Sequence, residues 1–467
     1  MKKETNEKLK KLIPALCVLP FVIGAIGYML AGEKFSDSLY YSFSLYFVNL
    51  NSDAYNVIIE IARWTAALVT ATAVLYVFKQ IWINLRRAIK SLRKDSVAVY
   101  SDNDKKIVFE EKSHAVIYSG RVICPRAKNH IIMMESDTDG LKFYNDNKAK
   151  FGSRKVYIGI REMEYGSIKD ISDVTFYDID GVIARTLWKS IRLWDGRNAA
   201  EKLTITILGN GHLGQNILNY GLLLNLFSLE QCITYNFVGD GKLYQVAHGK
   251  IETCNKDSVA YYTSDDEDIW NVIRRSDVII IADKVSAEQL QTIGTICENG
   301  RIFYYAPDEG DVGSYIKFDN LFPYGKDCEI YTDENIRRGK LVKQAMALNY
   351  KYALKYGGSN LKTDSESEWN KLDGFLKWSN ISSADYHEVL RAIVASDSEV
   401  SIEELAELEH MRWCRFHYLN NWKYGVPDNG KNKDNKKKIH KCLRAYDLIG
   451  DEQDKDREVV REALGGE

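Results

Sequence analysis

Two apolar runs, set close together near the start of the chain, constrain its fold more than any other feature. Residues 12–31 carry no charge and, at about 20 residues, match the thickness of a bilayer core as a helix. Residues 57–85 form a longer run that ends in a basic segment. A secretory signal peptide would also begin with lysines, but this stretch has no small-x-small cleavage pattern, and a second apolar segment follows it at once. Lys2, Lys3, Lys8, Lys10 and Lys11 precede the first run, and Lys79, Arg86, Arg87, Lys90, Arg93 and Lys94 lie at or beyond the end of the second. Between the runs only Lys34 stands against Glu33, Asp37 and Asp53. The positive-inside rule then puts both termini in the cytoplasm, with membrane lipid as a partner.

The connection between the runs is longer than a plain anchoring hairpin needs. It holds an amphipathic piece, residues 36–48, and then the polar turn Asn49-Leu50-Asn51-Ser52-Asp53. This segment resembles the pore helix and filter approach of two-helix tetrameric cation channels, and the resemblance implies a homo-tetramer. The filter glycines of that family are missing here, which removes the backbone freedom on which a carbonyl-lined potassium filter depends. Side chains of Asn49, Asn51 and Asp53 are the candidates for lining a less selective pore. A hairpin that only anchors the chain is the alternative reading.

With 467 residues the chain has room for about three domains. A net charge of −2 excludes nucleic-acid binding as the main task, which requires a clustered basic face. The eight cysteines form no Cys-x-x-Cys and no Cys/His pair at zinc spacing, so they read as small apolar residues in a reducing compartment, with no metal site.

After the membrane segment, residues 96–100, 114–118, 130–134 and 155–160 are short and rich in β-branched residues, as buried strands of a parallel sheet are. Residues 100–105 stand where a doubly wound domain carries its glycine loop, and they contain no glycine. A phosphate site of that kind is therefore lost there. The amphipathic stretch 183–194 predicts a helix, either connecting two such domains or simply packing between them.

The clearest chemical signal follows. Residues 201–208 read as a strand, then come Gly209, Asn210, Gly211, His212, Leu213 and Gly214, then a helix-like stretch 215–227. This is Gly-x-Gly-x-x-Gly in the order strand, loop, helix that gives the motif its meaning. The first glycine permits the turn, the second lets backbone approach a pyrophosphate, and the third lets helix pack on strand. Residues 233–238 predict a second strand, which ends at Asp240, placed to meet ribose hydroxyls. Residues 276–283, ending at Asp283, and 301–306 predict further strands. Residues 265–268 read as an N-cap cluster. A structural turn without bound nucleotide fits the same loop.

Residues 95–345 resemble the TrkA-N, or regulator-of-conductance, domains of bacterial potassium uptake and channel proteins, as a degenerate copy followed by an intact one. The resemblance implies binding of NAD or an adenine nucleotide and a pull on the pore through a linker.

Residues 340–356 predict a helix and 359–370 a loop. From Ser401 the sequence is distinctive, and Ser401 with Glu404 forms a capping-box pair. The positions Glu409, His410, Arg412, Trp413, Trp422, Tyr424, Gly425, His440, Tyr446, Asp447, Leu448, Lys455, Asp456 and Arg457 resemble the RyR domain, a small helical repeat that in bacteria accompanies defence or nucleotide-signalling modules. Asn421 replaces that family's usual glycine, and Leu448 follows Asp447 directly. The resemblance implies a signalling-nucleotide site at Glu409, His410, Arg412, Trp413, Trp422, Tyr424, His440, Tyr446, Asp447 and Arg457. On the residues alone, Glu409 and Arg412 share a helix face and suit phosphate pairing, while the tryptophans suit base stacking or the core of a small domain.

The expected architecture is multi-domain. A helical transmembrane hairpin with a pore-like insertion (1–94) precedes two Rossmann-like α/β domains with doubly wound parallel sheets (95–199 and 200–345), a helical connector (346–399) and a small all-α RyR-like domain (400–467). The function this implies is a nucleotide-gated cation channel or channel-like effector in a bacterial plasma membrane. The alternatives are a tethered nucleotide sensor and a membrane-anchored NAD(P)-dependent oxidoreductase. The oxidoreductase lacks an evident proton donor, because the pairs Tyr144/Lys148 and Tyr165/Lys169 both precede the glycine loop.

Overall fold

A computed structural model describes residues 17–49, 52–103, 105–109, 115–163, 168, 174–195, 202–249, 251–307, 311–356, 364–428 and 430–465. The basic N-terminal residues, Asn51 of the polar turn, and Tyr165 with Lys169 lie outside them. The chain divides into two compact units, residues 1–93 and 94–467.

In the first unit, α1 (Cys17–Leu30) is apolar, α2 (Phe35–Ser44) passes into a 3-10 turn at Leu45–Phe47, and α3 (Val57–Ser91) is long. Among the described residues α3 is the one helix long and apolar enough to cross a membrane. Its start is set by Asn56, whose side chain accepts from the Ile59 amide at 2.8 Å and donates to Gly27 O at 2.7 Å. Close approach of α1 to α3 depends on Gly27, where a Cβ would lie 2.9 Å from Ile59 Cγ1. Tyr28, Leu45, Ile59, Ala62 and Ala66 form the buried seam.

The second unit holds two parallel sheets. The first orders its strands β2-β1-β3-β4-β5, with β1 Val97–Ser101, β2 Val116–Tyr118, β3 Asn129–Met133, β4 Lys155–Ile160 and β5 Val174–Asp178. This is the flavodoxin-type order, whose direction reverses between β1 and β3. Helix α4 (Asp137–Phe151) crosses from β3 to β4, and α5 (Ile179–Ile191) follows β5. The helix expected at 183–194 thus starts earlier, where Asp178 caps it by accepting from the Gly181 amide at 2.9 Å.

The second sheet orders as β11-β10-β9-β6-β7-β8, with β6 Lys202–Gly209, β7 Cys232–Gly239, β8 Ser258–Tyr262, β9 Val278–Ile281, β10 Arg301–Tyr305 and β11 Leu321–Tyr324. Counted along the chain this is 3-2-1-4-5-6, the dinucleotide-type order, with its switch point between β6 and β9. Helix α6 (His212–Leu224) follows the loop after β6 and packs on α5. Gly221 makes room there for Trp188, whose Nε1 donates to Ile217 O at 2.8 Å. Helices α7 (Gly241–His248), α8 (Ile269–Arg274) and α9 (Ala287–Ile296) complete the crossovers. The acidic run before α8 does not cap it as expected. Asp268 makes no capping bond, and Asp266 instead accepts from the Thr263 amide at 2.6 Å.

After the short α10 (Asp327–Ile330), α11 spans Lys340–Tyr356, as its periodicity predicts. The stretch expected as a loop at 359–370 contains α12 (Ser365–Asn370), capped by Asp364. Then come α13 (Gly374–Ser396), α14 (Ile402–Leu419) and α15 (Gln453–Ala463). The last part is not purely helical. Two-residue strands β12 (Lys423–Tyr424), β13 (Lys433–Asp434) and β14 (Ile439–His440) form a small sheet, order β12-β14-β13, between α14 and α15. Asn421 turns the chain into it at φ 62°, a left-handed conformation that glycine favours and asparagine tolerates.

One apolar core runs through both sheets, α5, α6 and the C-terminal helices. Arg415 of α14 is fully buried and ties that helix to the second sheet. It pairs with Asp257 at 2.7 Å and donates to Thr253 O, Leu222 O and Asn255 Oδ1 at 2.8–3.0 Å.

Candidate functional site

At the carboxyl edge of the second sheet, glycines are required for packing at some positions and left open at one. A Cβ on Gly209 would lie 2.7 Å from Ala282 Cβ, and one on Gly214 would lie 3.2 Å from Phe237. Gly239, at the end of β7, has φ 105°, and its Cβ would meet Gly209 O at 2.5 Å. The ends of β6, β7 and β9 therefore come together only because these positions lack side chains. Gly211 differs. At φ 101° it faces open space, with nothing within 4 Å of the position a Cβ would take. This is the glycine at which backbone can approach a ligand.

Asn210 is exposed, and His212 and Leu213 are half-buried at the start of α6. His212 Nδ1 lies 2.9 Å from Asn216 Nδ2 and 3.8 Å from Asp180 Oδ2. Burial pushes the nearby Asp178 carboxyl up to about 6. Asp180 and Gly239 were not singled out from the sequence. Gly239 carried a signal all the same, as a glycine directly before the acidic residue that ends β7.

Both expected acidic residues reach the loop. Asp240 accepts from the Gly211 amide, and Asp283 Oδ2 accepts from the Asn210 amide at 2.8 Å and from Asn210 Nδ2 at 3.3 Å. A helix N-terminus with outward amides is an anion site, and here two carboxylates take up the first amides of the loop. A pyrophosphate would have to displace them. The remaining acceptor capacity of Asp240 suits ribose hydroxyls.

The C-terminal residues divide into buried and exposed sets. Arg412 and Glu409 form a closed pair with contacts at 2.7 and 2.8 Å, and Ser382 and Ser383 complete it. Their side chains are 1% and 3% exposed, so neither faces solvent. His410 is buried between Asp456 (3.1 Å) and Arg444 O (2.9 Å), and that contact with Asp456 raises its pKa against the effect of burial. Trp422 stacks on Phe375 at 5.5 Å and is buried. Trp413 is half-buried against His417 and His440, at 4.1 and 4.9 Å between ring centres. Tyr446 is buried, Tyr424 and Asp447 are exposed, and Arg457 is held by Glu403 and Asp454. Of the ten positions, Trp413, Tyr424, His440, Asp447 and Arg457 retain contact with solvent.

In the first unit Asn49 and Asp53 are exposed, and Val48 just before them has φ 57°. Tyr144 is a core residue stacked on Phe151 at 5.9 Å.

Strand order, glycine loop and flanking carboxylates define a Rossmann-type α/β unit, in a chain that also carries one helix able to cross a membrane. No family model matches the chain, and no curated protein matches it. Among solved structures, GsuK bound to ADP aligns at 12% identity and a TM-score of 0.32, over 69% of this chain and 95% of that one. The GsuK channel aligns at 12% and 0.32, over 69% and 81%. The Entamoeba histolytica malic enzyme aligns at 11% and 0.29, over 97% and 95%.

Proposed function

We propose that this chain is a nucleotide-responsive membrane protein of the channel type. An adenine nucleotide or NAD binds at residues 209–214, with Asp240 on the ribose and Asp283 released from the loop, and the α/β unit drives the membrane unit. The observation that carries this is Gly211, held at φ 101° against open space at the switch point of a 3-2-1-4-5-6 sheet. A ligand that displaces Asp240 and Asp283 binds one loop geometry better than the other, and such differential binding is what a gating ligand needs.

In this reading α1, α2 and α3 form a hairpin with a pore helix, four copies enclose the pore, and Asn49, Asn51 and Asp53 line it. Both termini lie on the cytoplasmic side of a bacterial plasma membrane. Residues 400–467 act as an RyR-like module for a signalling nucleotide, at the solvent-facing positions Trp413, Tyr424, His440, Asp447 and Arg457. A role in defence signalling, and the boundaries at 95, 200, 346 and 400, belong to the same proposal.

Purified chain reconstituted in liposomes tests it. Addition of ADP or NAD is expected to change cation flux, and Asp53→Ala to alter ion preference. Flux absent under every nucleotide, with ligand still bound, leaves a tethered sensor. Turnover of NAD(P) would favour the oxidoreductase.

A further inference from the structure

The first sheet has no glycine loop, yet its carboxyl edge is not closed. A cavity of about 320 Å³ opens at that edge, beyond the paired carboxyl ends of β1 and β3 at the switch point of the strand order. Asn103, Met133, Met134, Glu135 and Arg161 line it from the first sheet, and Lys284, Tyr305 and Pro307 from the edge of the second. Lys105 and Tyr331 close it.

Its polar wall consists of donors already held in place. Arg161 is oriented by Asp180 at 2.9 Å and by the Tyr331 hydroxyl at 2.8 Å. Lys105 Nζ lies 3.1 Å from Asp327, 3.3 Å from the Tyr331 hydroxyl and 4.7 Å from the Tyr331 ring centre. Both cations keep N–H donors beyond those used by these neighbours. The Tyr331 hydroxyl accepts from both, so its own proton remains available to a ligand, from a residue only 4% exposed. Lys284 adds a third cation from the other sheet, and Asp180, Asp327 and Glu135 are carboxylates at or beside the cavity. Met133, Met134, Ile179 and Pro307, with the Tyr305 ring, supply the apolar part of the lining.

We infer that this cavity binds a phosphate ester of mononucleotide size, with the phosphate on Lys105, Arg161, Lys284 and the Tyr331 hydroxyl and the base against the methionines and Tyr305. Preoriented charged donors recognise phosphate. The volume falls at the lower end of the range of about 300–1,000 Å³ typical of ligand pockets, which suits a mononucleotide rather than a dinucleotide. Side-chain cations thus take the place of the backbone amides that the first sheet lacks. Because residues from both sheets line the cavity, its ligand ties their carboxyl edges together. The inference does not depend on occupancy of the 209–214 loop.

Calorimetry on the detergent-solubilised full chain, with AMP and inorganic phosphate as probes, tests it. AMP is expected to bind and phosphate to compete with it. Lys105→Gln and Tyr331→Phe are each expected to weaken AMP by about 10–100-fold, the size expected for a lost charge-assisted bond. Lys284→Glu, at an exposed position, is expected to weaken it, and Gly211→Ala to leave it unchanged. Failure of folded wild-type chain to bind AMP would overturn the inference. So would AMP affinity that survives Lys284→Glu and Tyr331→Phe, or that is lost with Gly211→Ala alone.

Discussion

The two sheets of the second unit solve the same problem with different chemistry. Each is parallel, and its strand order reverses between two interior strands, which leaves a crevice at its carboxyl edge. In the second sheet the crevice is made of backbone: Gly209, Gly214 and Gly239 let three strand ends and a helix approach so closely that a methyl group would collide. In the first, the corresponding loop has side chains throughout, and the crevice is lined by Arg161, Lys105 and Tyr331. A backbone site is rigid and tolerates little substitution. A side-chain site has preoriented charges but depends on partners such as Asp180 and Asp327.

Removing Arg415 is expected to have the largest effect, and it falls on the second sheet. Its pair with Asp257 is fully buried, so Arg415→Ala leaves the Asp257 carboxylate buried without a counter-charge, a change that typically costs about 3–5 kcal/mol. Hydrogen exchange is expected to rise first at β7 and β8, next to Asp257, before β1 and β3. Equal loss in both sheets would mean that the shared core, rather than this pair, sets their stability.

Next comes Gly239→Ala. The new Cβ meets Gly209 O, and φ 105° strains any side chain, at a cost of roughly 1–3 kcal/mol for the backbone alone. ADP or NAD affinity at the loop is expected to fall, while AMP binding at the first-sheet cavity persists. Loss of both would show that the two crevices behave as one.

Acid distinguishes the sheets with a smaller effect. His130 of β3 is buried against Tyr100, and burial, with Arg154 nearby, pushes its pKa down to about 4. The strands of the second sheet contain no histidine. Between about pH 6.5 and 4 the unfolded chain takes up a proton that folded His130 refuses, so stability falls as pH drops through that window. From pH 7 to 5 the loss is about 2 kcal/mol. His130→Phe is expected to shrink the difference in urea unfolding free energy between the two pH values by about that amount, whatever constant offset it adds. An unchanged difference would assign the acid sensitivity to His387, His417 and His440, which burial also holds low.

How much of this could be read in advance depended on whether a feature is local. The helix at Lys340–Tyr356 follows from periodicity alone, and the glycine loop from a motif within one turn. Helix α12 was hidden because Trp369 is its one large apolar residue, and the Asp364 cap was the only signal. Strand β5 was not expected, since Val174–Asp178 gains its place only by pairing with β4. Asp240 and Asp283 could be placed at strand ends, but not their turn inward onto the loop amides, because the two lie on different strands. The first-sheet cavity is the extreme case. Its lining runs from Asn103 to Tyr331 and comes together only when both sheets are folded.

The smallest test compares one helix cap in each sheet. Ser136 starts α4 by accepting from the Asp139 amide at 3.1 Å, and Ser286 starts α9 by accepting from the Gln289 amide at 3.2 Å. Gln289 returns a bond to the Ser286 amide at 3.0 Å, so this cap satisfies two helix-end donors where Ser136 satisfies one. Each Ser→Ala change is expected to cost about 1 kcal/mol in urea unfolding. Ser286→Ala should cost the more, because Gln289 loses the geometry that holds its own bond. α4 crosses from β3 to β4 just after Met134 and Glu135 in the chain, whereas α9 joins β9 to β10 just after Lys284. Ser136→Ala is therefore expected to loosen Met134 and Glu135 and weaken AMP slightly, and Ser286→Ala to act through Lys284. If both lower AMP affinity by the same factor as they lower stability, the cavity responds to global unfolding, and the two edges do not contribute to it separately.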